Sequence, residues 1–207
     1  MSQSSPIYSR EELVSFGIRS VGHEVAISRK ASIHGWNRLS VGHHVRIDDF
    51  TVVSAGSGIE IGNYVHISAH CALYGGSGIT FEDYTGLSPR CLVFSESDDF
   101  SGESLVHPFF PKTPEFKPGY CSGRVILRRF AQTGAGTTIL PGVTLGEGAV
   151  TGAHSLLNED AEPWWIYVGV PARKLRERSR AVLALAERFQ RMQAEEGAKG
   201  SLLPGAR

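Results

Sequence analysis

The sequence predicts a mainly β protein whose chain winds as a triangular coil of stacked, parallel strands. Three observations predict it. Aliphatic residues recur every six positions, these hexads group into longer units at a fixed offset, and glycine is abundant (24 of 207 residues) without low complexity. The units beginning at Val21, Val41, Ile61 and Phe81 read VGHEVA, VGHHVR, IGNYVH and FEDYTG, and their starts lie 20 residues apart. Within them the hexad leaders are Val21, Ile27, Ile33; Val41, Ile47, Val53; Ile61, Ile67, Leu73; and Phe81, Leu87, Val93. Later the period tightens to 18, with Leu127, Thr133, Ile139 followed by Leu145, Thr151, Leu157.

A hexad is a short strand plus a corner. Its first residue points inward and its fifth, small or β-branched (Val25, Val45, Val65, Thr137, Val143, Ala149, Ser155), packs beside it. Its second is often Gly (Gly22, Gly42, Gly62, Gly134, Gly146, Gly152), which is read here as a need for backbone angles closed to other residues. One coil cannot bury its own face, so several must stack. About six coils are expected over 21–162. A sandwich of ordinary strands would show period-two alternation instead.

The repeat stops between Asp98 and Gly123. This stretch, DDFSGESLVHPFFPKTPEFKPGYCSG, holds four prolines and five aromatics, and a long insertion of this kind in a compact repeat is usually functional. Before the coils, Ser9 with Glu12 three residues on makes a capping box, followed by Leu13 and Phe16, so a short helix closes the first coil. After them, 173–195 reads as one amphipathic helix with Leu175, Val182, Leu183, Leu185, Ala186, Phe189 and Met192 on a broad stripe. The expected organisation is a helical cap over 1–20, a repeat domain over 21–172 with its loop at 98–123, and a C-terminal helix and tail over 173–207.

Composition excludes several classes. Lys+Arg and Asp+Glu tie at 21 each, which argues against nucleic acid as the main partner. No apolar run approaches the roughly 20 residues of a spanning helix. Glu11 and Glu12 interrupt any apolar signal core near the N-terminus, and Cys71, Cys91 and Cys121 form no CxxC. A cytoplasmic protein with free thiols is expected.

The run TGAGTTILPGVTLGEGAVTGAHSLL at 133–157 and the closing YVGVPARKL at 167–175 resemble the left-handed β-helix hexapeptide-repeat acyltransferases, over roughly 20–178. IGNYVHISAH (61–70), LYGGSGI (73–79) and FSESDDFSG (94–102) are similar to the branch acting on sugars, including galactosides and nucleotide-linked amino sugars of surface polysaccharides. The resemblance implies the left hand of the coil, a homotrimer with sites between prisms, acetyl-CoA as donor, and a sugar or nucleotide-sugar acceptor. It places the donor's pantetheine arm against Gly134, Ala135, Gly152 and Ala153, and its phosphates near Arg173, Lys174 and Arg176; the tetrahedral oxyanion separately calls for a donor, for which backbone N–H groups near Gly134 are candidates.

The acceptor hydroxyl or amine calls for a base. Many O-acetyltransferases of the family open the inserted loop with a histidine; this chain has Asp98 there, followed by Asp99. His66, at an outward hexad position, is the expected base, oriented by Asp98 or Asp99, with Ser68 beside it and Tyr74 and His107 as further substrate contacts. His107 is the second choice of base. An amine is already nucleophilic, so the missing histidine tilts the expectation mildly toward N-acetylation; O-acetylation stays open. A γ-type carbonic anhydrase would need histidines five apart, but Gly75 stands five after His70. A non-catalytic scaffold is the remaining alternative. No metal is expected.

Overall fold

The computed structural model describes residues 5–105, 113 and 119–200, with side chains to 195. The chain forms a three-faced parallel β-solenoid. The first face stacks Ser20–Val21, Leu39–Val41, Ile59–Ile61, Ile79–Phe81, Val125–Leu127 and Thr144–Leu145. The second stacks Ala26–Ile27, Arg46–Ile47, His66–Ile67, Gly86–Leu87, Gln132–Thr133, Val150–Thr151 and Trp165–Val168; the third runs from Ser32–His34 to Leu156–Leu157. Two faces thus have six rungs and the second has seven parallel ones, so the solenoid makes about seven turns where about six were expected. The extra rung is Trp165–Val168, which lies outside the strict hexad register.

The rungs pair in register at the predicted offsets. Ile47 stands beside Ile67, and Ile67 beside Leu87, 20 residues apart. Leu127 stands beside Leu145, 18 apart. Every hexad leader is buried except Val21 and Ile33 at the open first coil, where no rung covers them from one side. Interior hydroxyls are paired: Thr137 Oγ1 lies 2.8 Å from both Thr151 Oγ1 and the Gly134 carbonyl.

The glycines have a different cause from the one the sequence suggests. Those at hexad position two do not need unusual angles. A Cβ on Gly42 would stand 2.6 Å from the Gly62 carbonyl oxygen, and one on Gly134 would stand 2.5 Å from the Gly152 carbonyl carbon. Their role is close approach of successive corners. Left-handed backbone falls instead at position four, and large side chains occupy it: His44, Tyr64, Tyr84, Phe130 and Trp164 at the first corner, Phe50, His70 and Arg90 at the second. The strain of about 1–2 kcal/mol per residue is offset by stacking, because this geometry aims each ring at the one in the next coil. His44–Tyr64, Tyr64–Tyr84 and Tyr84–Phe130 centroids are 4.6, 5.0 and 5.2 Å apart.

The N-terminal helix α1 (Arg10–Ser15) carries the predicted capping box: Ser9 Oγ accepts from the Glu12 amide, and the Ser9 amide donates to Glu12. Leu13 is buried and Phe16 packs on Trp36 at 5.3 Å, closing the first coil. At the other end the structure corrects the single long helix over 173–195. Arg173–Glu177 is a strand, antiparallel to Trp165–Val168, and the helix α2 begins only at Ala181 and runs to Gly200. The exposed edge of the last rung has unpaired backbone groups, and residues 173–177 satisfy them before a helix can start.

Helix α2 runs back along the first corner. Phe189 meets Tyr64 edge-on at 5.4 Å, the Tyr64 hydroxyl donates to Gln193 Oε1 at 2.7 Å, and Gln190 donates to the Tyr84 hydroxyl. The turn before it is held by Arg178, whose guanidinium donates to the Phe130 and Gly148 carbonyls; burial pushes its pKa down. The insertion leaves and rejoins the third corner through a hairpin, Glu96–Asp98 against Tyr120–Ser122, closed by a bond from the Gly123 amide to Ser95.

Close approach at the corners makes a testable contrast. Gly42→Ala must push adjacent coils apart and is expected to cost about 2 kcal/mol, or roughly 4–8 °C in Tm. Gly86→Ala, whose Cβ would meet only the His66 carbonyl at 3.6 Å, is expected to change Tm little. Equal shifts in thermal melts would contradict the corner argument.

Candidate active site

Two concave surfaces collect the chemistry. The first is a groove of about 550 Å³ between the second face and α2. Its floor carries His66, Ser68, Ser88 and Gln132, and its wall is the apolar side of α2, including Leu185 and Phe189. The second is a shelf of about 520 Å³ on the third face at the foot of the hairpin, with Tyr74, Phe94, Asp98, Tyr120 and Leu140. Tyr74 and Phe94 stack at 5.1 Å with planes 9° apart, because they occupy the same register position in successive rungs.

The floor of the groove follows from one column of the repeat. Position two of the second-face hexads reads Ser28, Asp48, Ser68, Ser88, then Gly134 and Gly152. Polar side chains line the early coils and bare backbone the later ones. His66 projects outward from its rung while Ile67 is buried, as expected. Within one chain its hydrogen-bond partner is neither Asp98 nor Asp99. His66 Nε2 lies 2.9 Å from Asp48 Oδ2, and Arg46 Nε donates to Asp48 Oδ1 at 2.6 Å. Asp48 lies one coil back on the same face, whereas Asp98 stands on the hairpin beyond the third face. Burial tends to raise the Asp48 carboxyl, but the hydrogen bonds from Arg46 and His66 outweigh it and hold it below its ordinary value.

Asp98 keeps an outward place on the shelf beside Tyr74. Asp99 does not share it. Its carboxylate accepts from the Ser101 amide and hydroxyl at 2.9 and 2.7 Å, and these bonds hold its pKa down; it is committed to a turn. His107 lies outside the described residues.

The donor positions divide as well. Gly134, Ala135, Gly152 and Ala153 stack at the second corner of successive coils. The Gly134 amide already donates to the Thr151 carbonyl at 2.8 Å and the Gly152 amide to Tyr167 at 2.7 Å, so neither is a free oxyanion donor. The amides of Ala135 and Ala153 have no acceptor among the described residues and are open to an amide-rich arm. Arg173, Lys174 and Arg176 lie exposed on the closing antiparallel strand. Lys174 pairs with Glu162 at 2.6 Å and lies over the Trp165 ring at 4.6 Å. No group of three potential metal ligands occurs among the described residues, and no described helix is long and apolar enough to cross a membrane.

Asp48, Ser88, Phe94 and Tyr120 were missed by reading the sequence. The signal for the first two was present, since both replace the glycine expected at position two. Phe94 sits 20 residues after Tyr74, again on the repeat. Tyr120 reaches the shelf only through the hairpin.

The stacked-coil scaffold is shared by relatives of known structure. The crystal structure of AntD, an N-acyltransferase from Bacillus cereus in complex with dTDP and 3-hydroxybutyryl-CoA, is 41% identical and superposes with a TM-score of 0.86, covering 92% of this chain and all of that one. The chain belongs to this family of hexapeptide-repeat acyltransferases. The dTDP-4-amino-4,6-dideoxy-D-glucose acyltransferase of Escherichia coli is 39% identical over 98 residues, so the match spans half of that relative's length. A hexapeptide-repeat acetyltransferase of Vibrio cholerae, 18% identical with a TM-score of 0.58 over 82% of this chain and 76% of that one, shares the fold. No protein-family model matches the chain.

The Asp48 pairing predicts an acid dependence. A carboxyl held low in the folded state stabilises above its unfolded pKa, and that contribution is lost as pH falls through about 4 and below. In Asp48→Asn the decline of Tm between pH 5 and pH 3 is expected to be shallower than in the wild type. Parallel declines would show that the pairing contributes nothing to folding.

Proposed function

We propose that the chain transfers an acetyl group from acetyl-CoA to the amino group of a dTDP-linked amino sugar, as a cytoplasmic homotrimer serving surface-polysaccharide synthesis. The observation that carries this reading is the AntD match over nearly the whole chain, in which a crystallised variant holds dTDP-4-amino-4,6-dideoxyglucose together with coenzyme A. Other solved variants of that relative replace an aspartate or a serine. In this chain Asp98 stands outward at the shelf, and Ser68 and Ser88 lie on the groove floor.

The reaction asks little of the protein beyond placement. The amine nitrogen attacks the thioester carbonyl, the new C–N bond forms, the C–S bond breaks, and the thiol of CoA leaves with the proton that the nitrogen sheds. Asp98 binds the amine and accepts its proton on the way; the stacked Tyr74 and Phe94 hold the apolar face of the sugar. Ala135 and Ala153 pair with the amides of the pantetheine arm, and Arg173 and Arg176 meet the phosphates, while Lys174 is partly engaged by Glu162. The missing loop histidine suits an amine, which needs no strong base.

Trimer formation is supported by the third face. Its outward positions include Val52, Ala72, Leu92, Leu140 and Leu156, against Ser40, Glu60 and Thr80 on the first face. The groove and the shelf belong to different faces of one copy. Packing the apolar third face of one copy beside the second face of the next brings Asp98 toward Ser88 and His66 across the contact.

Thiol release with dTDP-4-amino-4,6-dideoxyglucose and acetyl-CoA tests the reaction. Turnover is expected with the amine and not with the 4-hydroxyl analogue, and Asp98→Asn is expected to lower kcat/KM by about 100-fold. Turnover of the hydroxyl analogue alone would overturn N-acylation. Sedimentation tests the assembly: Leu92→Arg is expected to give monomers, and an unchanged sedimentation coefficient would reject the third face as the contact.

A further inference from the structure

A feature at the margin of the groove that the reaction leaves unused is the hydrogen-bonded array Arg46–Asp48–His66, of which His66 lines the groove. Asp48 Oδ1 receives the Arg46 Nε–H at 2.6 Å, and Asp48 Oδ2 lies 2.9 Å from His66 Nε2. A carboxylate has no proton to give, so the hydrogen in the second bond belongs to Nε2. In the neutral ring the lone pair is then on Nδ1. The ring is about half exposed, while Asp48 is largely covered. In-register neighbours Arg46 and Gly86 flank His66 on its face; Gly86 carries no side chain, leaving space over the imidazole toward Ser88.

We propose that Asp48 is a positioning residue that fixes His66 as its Nε2–H tautomer, so that Nδ1 serves in the groove as an acceptor for an N–H or O–H of the sugar substrate. The inference rests on the acyl-transfer reading for the identity of that donor. Arg46 has the complementary task. It occupies the second carboxylate oxygen, so that Asp48 cannot swing toward the groove and compete for the substrate's own donors. The array needs no residue from the hairpin, and its parts lie on adjacent rungs of one face, where the register fixes their spacing.

The tautomer is directly observable. With 15N-labelled histidine in the full-length chain, two-bond 1H–15N correlations at pH 8 are expected to show His66 protonated at Nε2 and bare at Nδ1. In Asp48→Ala, shown to be folded by its melting curve, the two tautomers are expected to mix, and kcat/KM for the amino sugar is expected to fall by about 10-fold or more with KM for acetyl-CoA unchanged. His66→Asn, whose amide oxygen can take the place of Nδ1, is expected to retain more activity than His66→Ala. A wild-type ring protonated at Nδ1, or an Asp48→Ala protein with the same tautomer and the same rate, would overturn the proposal. If the wild type turns over no amino sugar, the acyl-transfer reading fails, and the tautomer measurement still decides the role of Asp48.

Discussion

The structure depends on one constraint: each coil draws most of its backbone hydrogen bonds and most of its apolar cover from its neighbours. A rung of two or three residues has no stability of its own. It is held because its amides and carbonyls pair with the rungs on either side, and because its inward residue lies on the inward residue of the coil before. That demand sets the hexad, since the inward leader recurs every sixth residue as the chain passes from one face to the next. It also sets the glycines at position two, where successive backbones come too close for a Cβ.

The same constraint makes columns. Any position of the hexad repeats along the prism, so side chains at one register become a ladder. At the first corner the ladder is aromatic, and α2 docks along it through Phe189 and the two glutamines that meet the Tyr64 and Tyr84 hydroxyls. At position two of the second face the ladder changes from polar side chains to glycine, and the groove floor is the polar part. On the third face two aromatic rings stack to form the shelf. Sites on this scaffold therefore arise where a column departs from its usual residue, and rigid neighbouring rungs hold the departure in place.

The candidate site was only partly legible. His66 could be read as outward from the repeat, the family resemblance put it and Ser68 in one wall, and Tyr74 and Asp98 could be marked as belonging near the insertion. Asp48 was within reach of the same arithmetic, because it stands where glycine is expected. The acidic pair at 98–99 is the more conspicuous feature of the sequence. The pairing of His66 depends on which rung lies beside which, and Asp99 is withdrawn by a local turn that the sequence does not announce.

The sequence by itself determined the periodicity, the inward residues, the change from 20- to 18-residue coils, the capped first helix and the position of the insertion. These follow from local chemistry repeated many times, so errors at single positions average out. The tertiary structure decided the rest: that 173–177 closes the sheet as a strand, that α2 covers the first corner, that large rings occupy left-handed backbone, and that His66 leans on Asp48. Each of these is settled by contacts between separate segments of the chain. A hexad count records which residues face in or out, but not which outward residues meet.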